Sequence, residues 1–543
     1  MVTAVVVGGA PTPITAVGSR VIDATPGALK DWAIRTLGEN DKPFLLGGIF
    51  AAIAVLAAVT GIIAWRSRPI ALALTTVLGL VALAAAYADR TSLVGTMAKI
   101  APAIVALIVS VGFLYFFTRR WTTASNGPSA ARPTERSEPL VAVGAGSPAA
   151  SASTARHSDI TSSNSPHDFR NTPTARPKGS SHRENSAPSG FDRRAFLVAA
   201  LASGAVATVG IGTAQAFGDA GARSRDDLTL PKPADAAPML AGSMSLDAVK
   251  GITPYITPNA DFYRVDTALS VPQVDASSWT LKIHGLVDNE IELSFEDLLN
   301  MPLIERRVTL SCVSNEVGGV LAGNATWLGV KISDLLKQAG VDADADAVKS
   351  TSVDGMTIGT PLEALTDDRE AMIAIGMNGE PLPLAHGFPA RMVVPGLYGY
   401  VSATKWLVDM EVTRFADFSA YWTERDFDAE APIKTFSRID VPDSFAKLPV
   451  GKNAVAGVAW AQNTGIDKVE VRIDGGGWQQ ARLADADGIN TWRQWVYEWE
   501  AEDGNHQLEV RATDSSGYTQ TSRRVTPRPN GATGWHSVNV TVA

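Results

Sequence analysis

Four internal stretches of 19 residues or more contain no Asp, Glu, Lys or Arg: 43–65, 69–88, 100–118 and 195–218. They are 23, 20, 19 and 24 residues long. A helix of about 20 apolar residues crosses a hydrocarbon core of about 30 Å. The whole chain is only 19% charged, below the quarter or so usual for soluble proteins. The missing charge is concentrated in these runs. The first three predict membrane-spanning helices at about 43–65, 69–88 and 100–118, inside a membrane domain 1–120.

The fourth run differs. It is rich in Ala and Gly and directly follows Asp192-Arg193-Arg194-Ala195-Phe196-Leu197. An Arg pair ahead of a mildly apolar run resembles a twin-arginine export signal, and Ala214-Gln215-Ala216 resembles a cleavage site. Residues 191–218 are therefore expected to act as an export signal or a fourth transmembrane helix. Basic residues stay on the cytoplasmic side. Between 118 and 194 there are 11 Arg/Lys against 6 Asp/Glu, which places that segment inside. The Arg66-Ser67-Arg68 turn then also falls inside. The first 42 residues and everything after 218 fall outside. The expected location is the cell membrane, multi-pass, with the second half of the chain extracytoplasmic.

Residues 121–190 are dominated by Ser, Ala, Pro, Thr, Arg and Asn. Such a segment cannot bury enough apolar surface to offset chain entropy and is expected to be a disordered linker. The chain has one cysteine. That excludes an internal disulfide and any zinc or iron–sulfur site built from this chain's cysteines alone. A net charge of −9 speaks against nucleic acid as a partner.

Beyond residue 244 the pattern is globular. Trp279 to Gly285 alternates like a half-buried strand, Ser294 to Leu299 reads as a capped short helix, and 307–312 is a strand that delivers Cys312 at its end. Ile332 to Lys337 reads as helix and Ala390 to Val394 as a short apolar strand. This mixture predicts an α+β domain over 245–430. After residue 431 the helical signals stop. Lys468 to Asp474 and His506 to Asp514 alternate, and Gly475-Gly476-Gly477 makes a turn, so 431–543 is expected to be an immunoglobulin-like β-sandwich without a disulfide.

A lone cysteine is usually a small buried hydrophobe. Cys312 instead runs into Val313-Ser314-Asn315-Glu316-Val317-Gly318-Gly319, a small Gly-containing loop. A thiolate there can reach a bound transition metal, for which soft sulfur is suited.

Several stretches resemble the sulfite oxidase family of molybdenum enzymes, over about 245–543. They are Asp261-Phe262-Tyr263-Arg264, Leu310-Ser311-Cys312-Val313-Ser314-Asn315, Met377-Asn378-Gly379-Glu380-Pro381-Leu382-Pro383, His386-Gly387-Phe388-Pro389-Ala390-Arg391, Ala403-Thr404-Lys405-Trp406-Leu407 and Gly534-Trp535-His536. The resemblance implies a Mo-molybdopterin catalytic domain followed by an Ig-like domain that dimerises in relatives. It implies that Cys312 is the protein's molybdenum ligand and that His386, Arg391 and Lys405 hold the pterin and its phosphate. An Arg fork and an ammonium suit a dianionic phosphate. Tyr263, Arg264, Ser352, Ser402 and Thr404 match further cofactor-pocket positions, and Arg264 also matches an arginine that contacts sulfite.

Two departures stand out. Sulfite oxidases carry two arginines directly after the Cys-x-x-Asn pattern; here Asn315 is followed by Glu316 and Val317. They carry an active-site tyrosine before the Met-Asn-Gly stretch; here that position is Ile375. Loss of an Arg and gain of Glu316 should weaken binding of a dianion. The expected reaction is two-electron oxygen-atom transfer on a small sulfur oxo compound, with reduction of a sulfoxide or another oxo compound as the alternative. A non-catalytic scaffold is disfavoured because Cys312, Arg391 and Lys405 are all present. None of the seven histidines lies in the four apolar runs, so the membrane part cannot hold a bis-His haem by itself. It is expected to serve as an anchor, with a separate cytochrome or quinone-linked electron partner.

Overall fold

In the computed structural model, residues 12–26, 29, 36, 41–89, 95–125 and 220–543 are described. The Arg193-Arg194 motif, the Ala214-Gln215-Ala216 site, the fourth apolar run and nearly all of 121–190 lie outside these residues. The chain divides into two units, one of residues 1–114 and 205–543, the other of 115–204. Of the second unit only 115–125 is described, as the end of a helix.

The N-terminal part is helical: α1 (Pro13–Ala24), α2 (Asp41–Arg66), α3 (Arg68–Tyr87) and α4 (Thr96–Ser125). Thr12 caps α1 by accepting from the Thr15 amide, and Pro13 fits the first turn because its missing N–H would have no partner there. Among the described residues, three helices are long and apolar enough to cross a membrane: Phe44–Ala64, Arg68–Tyr87 and Thr96–Phe116. They match the first three expected spans. Ala16, Ala85, Ala86 and Ala103 form a small apolar contact among α1, α3 and α4. Small residues there let the backbones approach closely.

The α+β region follows. One sheet has the order β2-β1-β10-β5-β6, from β1 (Thr280–Gly285), β2 (Ile291–Ser294), β5 (Ala347–Ser352), β6 (Thr357–Pro361) and β10 (Leu407–Thr413). The other has the order β3-β4-β7-β8, from β3 (Ile304–Ser311), β4 (Ala322–Lys331), β7 (Met372–Met377) and β8 (Glu380–Pro381), with β9 (Arg391–Val393) paired to β7. Helix α5 (Phe295–Asn300) starts with the expected capping box between Ser294 and Asp297. Helix α6 (Ile332–Ala339) buries Ile332, Leu335, Leu336 and Ala339 along one stripe and ends at Gly340, which is left-handed at φ 70°. One core, including Trp327, Phe388, Trp406 and Met410, joins both sheets.

From residue 436 on, two further sheets follow. One runs β11-β13-β17-β16 and the other β12-β19-β18-β14-β15, with β11 (Phe436–Val441), β12 (Lys447–Leu448), β13 (Gly451–Trp460), β14 (Ile466–Ile473), β15 (Gln479–Gln480), β16 (Arg482–Leu483), β17 (Arg493–Ala501), β18 (Gly504–Asp514) and β19 (His536–Val542). Val455, Trp495 and Trp499 of the first meet Val469, Val471, Leu508, Val510 and Val540 of the second in one apolar cluster. Strand alternation supplies these inward residues, as in the pattern of β18.

Candidate molybdopterin site

The ends of both α+β sheets converge on one cavity. It holds about 1070 Å³ of atom-free space counted out to its open mouth. Tyr263, Cys312, Ser352, His386, Arg391 and Lys405 all line it. These residues come from the segment before β1, the end of β3, the end of β5, a turn at Leu384–His386, the start of β9 and the approach to β10. They are spread over more than 140 positions, and the topology gathers them.

Cys312 is buried and free. Its amide donates to Leu321 O at 2.9 Å, and the Ser314 amide donates to its Sγ at 3.4 Å. Asn315 Oδ1 accepts from the Leu321 amide at 2.9 Å, closing the loop. Burial raises the thiol pKa, only partly offset by the Ser314 contacts. A bare thiolate is disfavoured there, and a cation beside it would reverse that preference. The loop is also held by the C-terminal sheets. Arg438 Nη1 donates to Gly319 O at 2.8 Å. Gly318 has φ +81° and leaves no room for a Cβ, which would stand 2.3 Å from His536 Nε2. Thr309, three residues before Cys312, receives the Gln462 amide on its carbonyl at 2.9 Å and the Trp492 amide on its hydroxyl at 2.8 Å.

Arg391 is only 5% exposed. It stacks 5.0 Å from the Trp327 ring centroid, and Nη1 donates to His386 O at 3.1 Å. Among the described residues it has no carboxylate partner, and burial pushes its pKa down to about 10. A buried guanidinium without an anion is costly, so this position suits an anionic group arriving from the cavity. Lys405 Nζ donates to Asp266 Oδ2 at 2.7 Å and to Ala385 O at 3.0 Å. Burial lowers it to about 8, against the pull of Asp266. Burial would raise the Asp266 carboxyl, but Lys405, Lys42 and Arg264 overcome this and hold it well below the usual range. His386 donates from Nε2 to Asn259 O at 3.1 Å, and burial lowers it to about 4, so it is neutral near pH 7. Burial raises the Tyr263 phenol as well.

The other expected residues are placed differently. Arg264 pairs with Asp266 at 2.8 Å and does not line the cavity. Ser402 Oγ donates to Leu397 O and Tyr398 O, both at 3.0 Å. Thr404 Oγ1 lies 2.6 Å from Ser350 Oγ. These two hydroxyls are spent on fixing the chain around Lys405 and do not line the cavity. Glu316 is exposed and outside the lining, so it does not add negative charge to the cavity wall as expected. Ile375 is buried in β7, also away from it. Sequence reasoning missed Asp266, Asp354, Trp422 and Phe427, which do line it. The acid two positions after Arg264 was the one readable signal; the aromatic pair lies in a stretch with no motif.

The donor set therefore fits molybdopterin. Cys312 presents a soft sulfur of the kind a transition metal takes, and Arg391 and Lys405 present cations of the kind a phosphate takes, beside neutral His386. Comparison with known proteins agrees. The family profile described as oxidoreductase molybdopterin binding domain matches residues 268–422. Human mitochondrial sulfite oxidase is 31% identical over 345 residues, covering 53% of this chain and 62% of that protein. The chain thus spans under two thirds of the length of that relative. The uncharacterized oxidoreductase YuiH of Bacillus subtilis is 34% identical over 153 residues, covering 28% of this chain and 74% of that protein. The sulfane dehydrogenase SoxCD from Paracoccus pantotrophus aligns with a TM-score of 0.47 at 25% identity, over 52% of this chain and 80% of that one. With that cysteine, those cations, the matching family profile and the sequence similarity to YuiH and human sulfite oxidase, the chain belongs to the sulfite oxidase family of molybdopterin-dependent oxidoreductases.

Proposed function

We propose that this protein is a membrane-anchored, extracytoplasmic molybdenum oxidoreductase that moves an oxygen atom and two electrons on a small sulfur oxo compound. The observation that carries this reading is the pair formed by Cys312 and the carboxylate-free Arg391 on one cavity wall. Bound molybdopterin would supply a metal that cycles between oxidation states two electrons apart. The chain's residues do the rest. Cys312 holds the metal, Arg391 and Lys405 neutralise the phosphate, and Tyr263, Ser352 and His386 orient the pterin. Ser402, Thr404 and Arg264 support this wall from behind. Trp422 and Phe427 narrow the mouth and exclude water.

A second reading is favoured by the charge of the lining. Arg391 and Lys405 are matched there by Asp266 and Asp354, and most other lining side chains are apolar. A balanced wall favours a neutral substrate such as a sulfoxide over a dianion. The C-terminal sheets are read as an immunoglobulin-like sandwich through which two copies could pair. Residues 191–218 are read as a twin-arginine signal. A cytochrome or quinone-linked partner would exchange the electrons.

Two measurements test this. Molybdenum and pterin should be present in about equal amounts in the purified chain, and a folded sample containing neither refutes the reading. Sulfite oxidation with a dye acceptor, set against sulfoxide reduction with a dye donor, then decides between the two substrates.

A further inference from the structure

Two segments border the cavity, and both are gripped by the chain's N-terminus. The first is 265–267, whose residues all line it. Lys42, at the start of α2, pairs with the Asp266 carboxylate and donates to the Asp266 carbonyl at 2.9 Å. The second is 421–427, which supplies Trp422 and Phe427 to the lining. Arg425 Nη2, in the middle of it, pairs with Asp23 of α1 at 3.2 Å. Arg425 is held ready by Nη1 donating to Tyr421 O at 2.7 Å and by lying 3.7 Å from the Tyr421 ring centroid. Gly18 of α1 faces Leu269 and Ile49 so closely that a Cβ would stand 2.9 Å from the Leu269 methyl. The partners are 224 and 402 positions apart in sequence.

We propose that α1, together with Lys42 at the start of α2, is a dock for the rim of the molybdopterin cavity. The catalytic region is then held against the N-terminal end of the chain's first long apolar helix. Two observations point to this occupant. The charges are complementary at both contacts, with an acid of α1 meeting a rim arginine and a lysine of α2 meeting a rim carboxylate. The apolar seat at Gly18 uses a glycine, which allows close approach. The dock also requires residues 1–42 and the catalytic region to share one side of the membrane, the arrangement that the distribution of basic residues predicts. A redox partner would then meet the cavity at the membrane surface. That last consequence rests on the proposed function; the docking itself does not.

The test uses the full chain in detergent, with a protease site inserted after Gly218 and an affinity tag at the N-terminus. Cleavage separates the catalytic fragment from every apolar run. The cut fragment should remain on the tagged fragment at low salt. Arg425→Glu should lower the retained fraction by about tenfold, as expected for opposing a like charge at a contact. The exchange Asp23→Arg with Arg425→Glu should restore most of it. Release of the fragment from the unaltered chain at low salt overturns the proposal, as does an exchange variant that behaves like Arg425→Glu. Molybdenum content of the released fragment, measured in parallel, reports on the cavity's function independently of docking.

Discussion

Arg391→Met separates the cost of a buried cation from its use. Desolvation pulls the guanidinium well below its ordinary value, to about 10. At about 1.4 kcal/mol per pH unit, this is about 3 kcal/mol against the charged form in the folded, cofactor-free protein. The sign follows from a base whose folded value is depressed. Below pH 10 both states are charged and the full cost is present; it fades only as the pH rises beyond that. Methionine keeps much of the apolar stem and removes the charge. It also gives up the bond to His386 O and the stacking on Trp327, together worth about 1–3 kcal/mol. The two sides nearly cancel, so chemical denaturation of cofactor-free protein should shift by no more than about 1 kcal/mol. The loaded protein should behave differently. Losing a buried charge-assisted contact to phosphate costs about 3–5 kcal/mol, or a hundredfold or more in cofactor retention. Metal analysis and pterin fluorescence after extensive dialysis would read this. A variant that keeps full molybdenum content, or one whose cofactor-free form loses 3 kcal/mol or more, refutes the argument.

Other perturbations probe the neighbouring groups. Cys312→Ser should abolish molybdenum binding while shifting thermal unfolding of the cofactor-free protein by no more than about 2 kcal/mol. Asp266→Asn removes the carboxylate facing Lys405, Lys42 and Arg264. It should destabilise the cofactor-free protein by about 3–5 kcal/mol, and the loaded protein by less, because phosphate replaces part of the lost charge. Gly318→Ala forces φ +81° on an L-residue and a clash with His536, costing about 2 kcal/mol; adding His536→Ala should recover the clash but not the backbone strain. His386 and His536 are both lowered to about 4 by burial. Each must stay neutral to remain folded, so stability should be intact above pH 6.5 and fall as the pH drops from 6.5 to 4. Each site contributes up to about 1.4 kcal/mol per pH unit, and His536→Gln should reduce the slope by one proton.

Much of this was legible in the residues. The three long apolar helices showed as absent charge, and the strand ending at Cys312 showed as alternation. The capping box at Ser294 and Asp297 is a local device and was readable locally. Arg391 and Lys405 sit in distinctive stretches, and both line the cavity. What could not be read was which polar side chains face the cavity. Thr404 and Lys405 are adjacent, yet one bonds Ser350 and the other Asp266. That choice depends on how β5 and β10 pair, which no local pattern encodes. Asp266 was readable only as an acid beside Arg264, not as a shared partner. Lys42 and Lys405 lie 224 and 139 positions away, and only tertiary packing shows that one carboxylate serves all three cations.

The bracing of β3 bears on how the molecule comes apart. Thr309 is bonded to Gln462, Asn490 and Trp492, and Arg438 reaches across to Gly319. These bonds reinforce an apolar cluster that already joins the two regions, taking in Phe436, Val458, Trp460 and Trp492 of the C-terminal region, beside a second cluster wholly within that region. Breaking the C-terminal sheets would strip partners from the strand that presents Cys312, so neither region has much to gain by melting first. Calorimetry of residues 220–543 within the intact chain should give one endotherm rather than two. Damage at the far end of the C-terminal sheets would then surface as lost molybdenum, well before any loss of secondary structure.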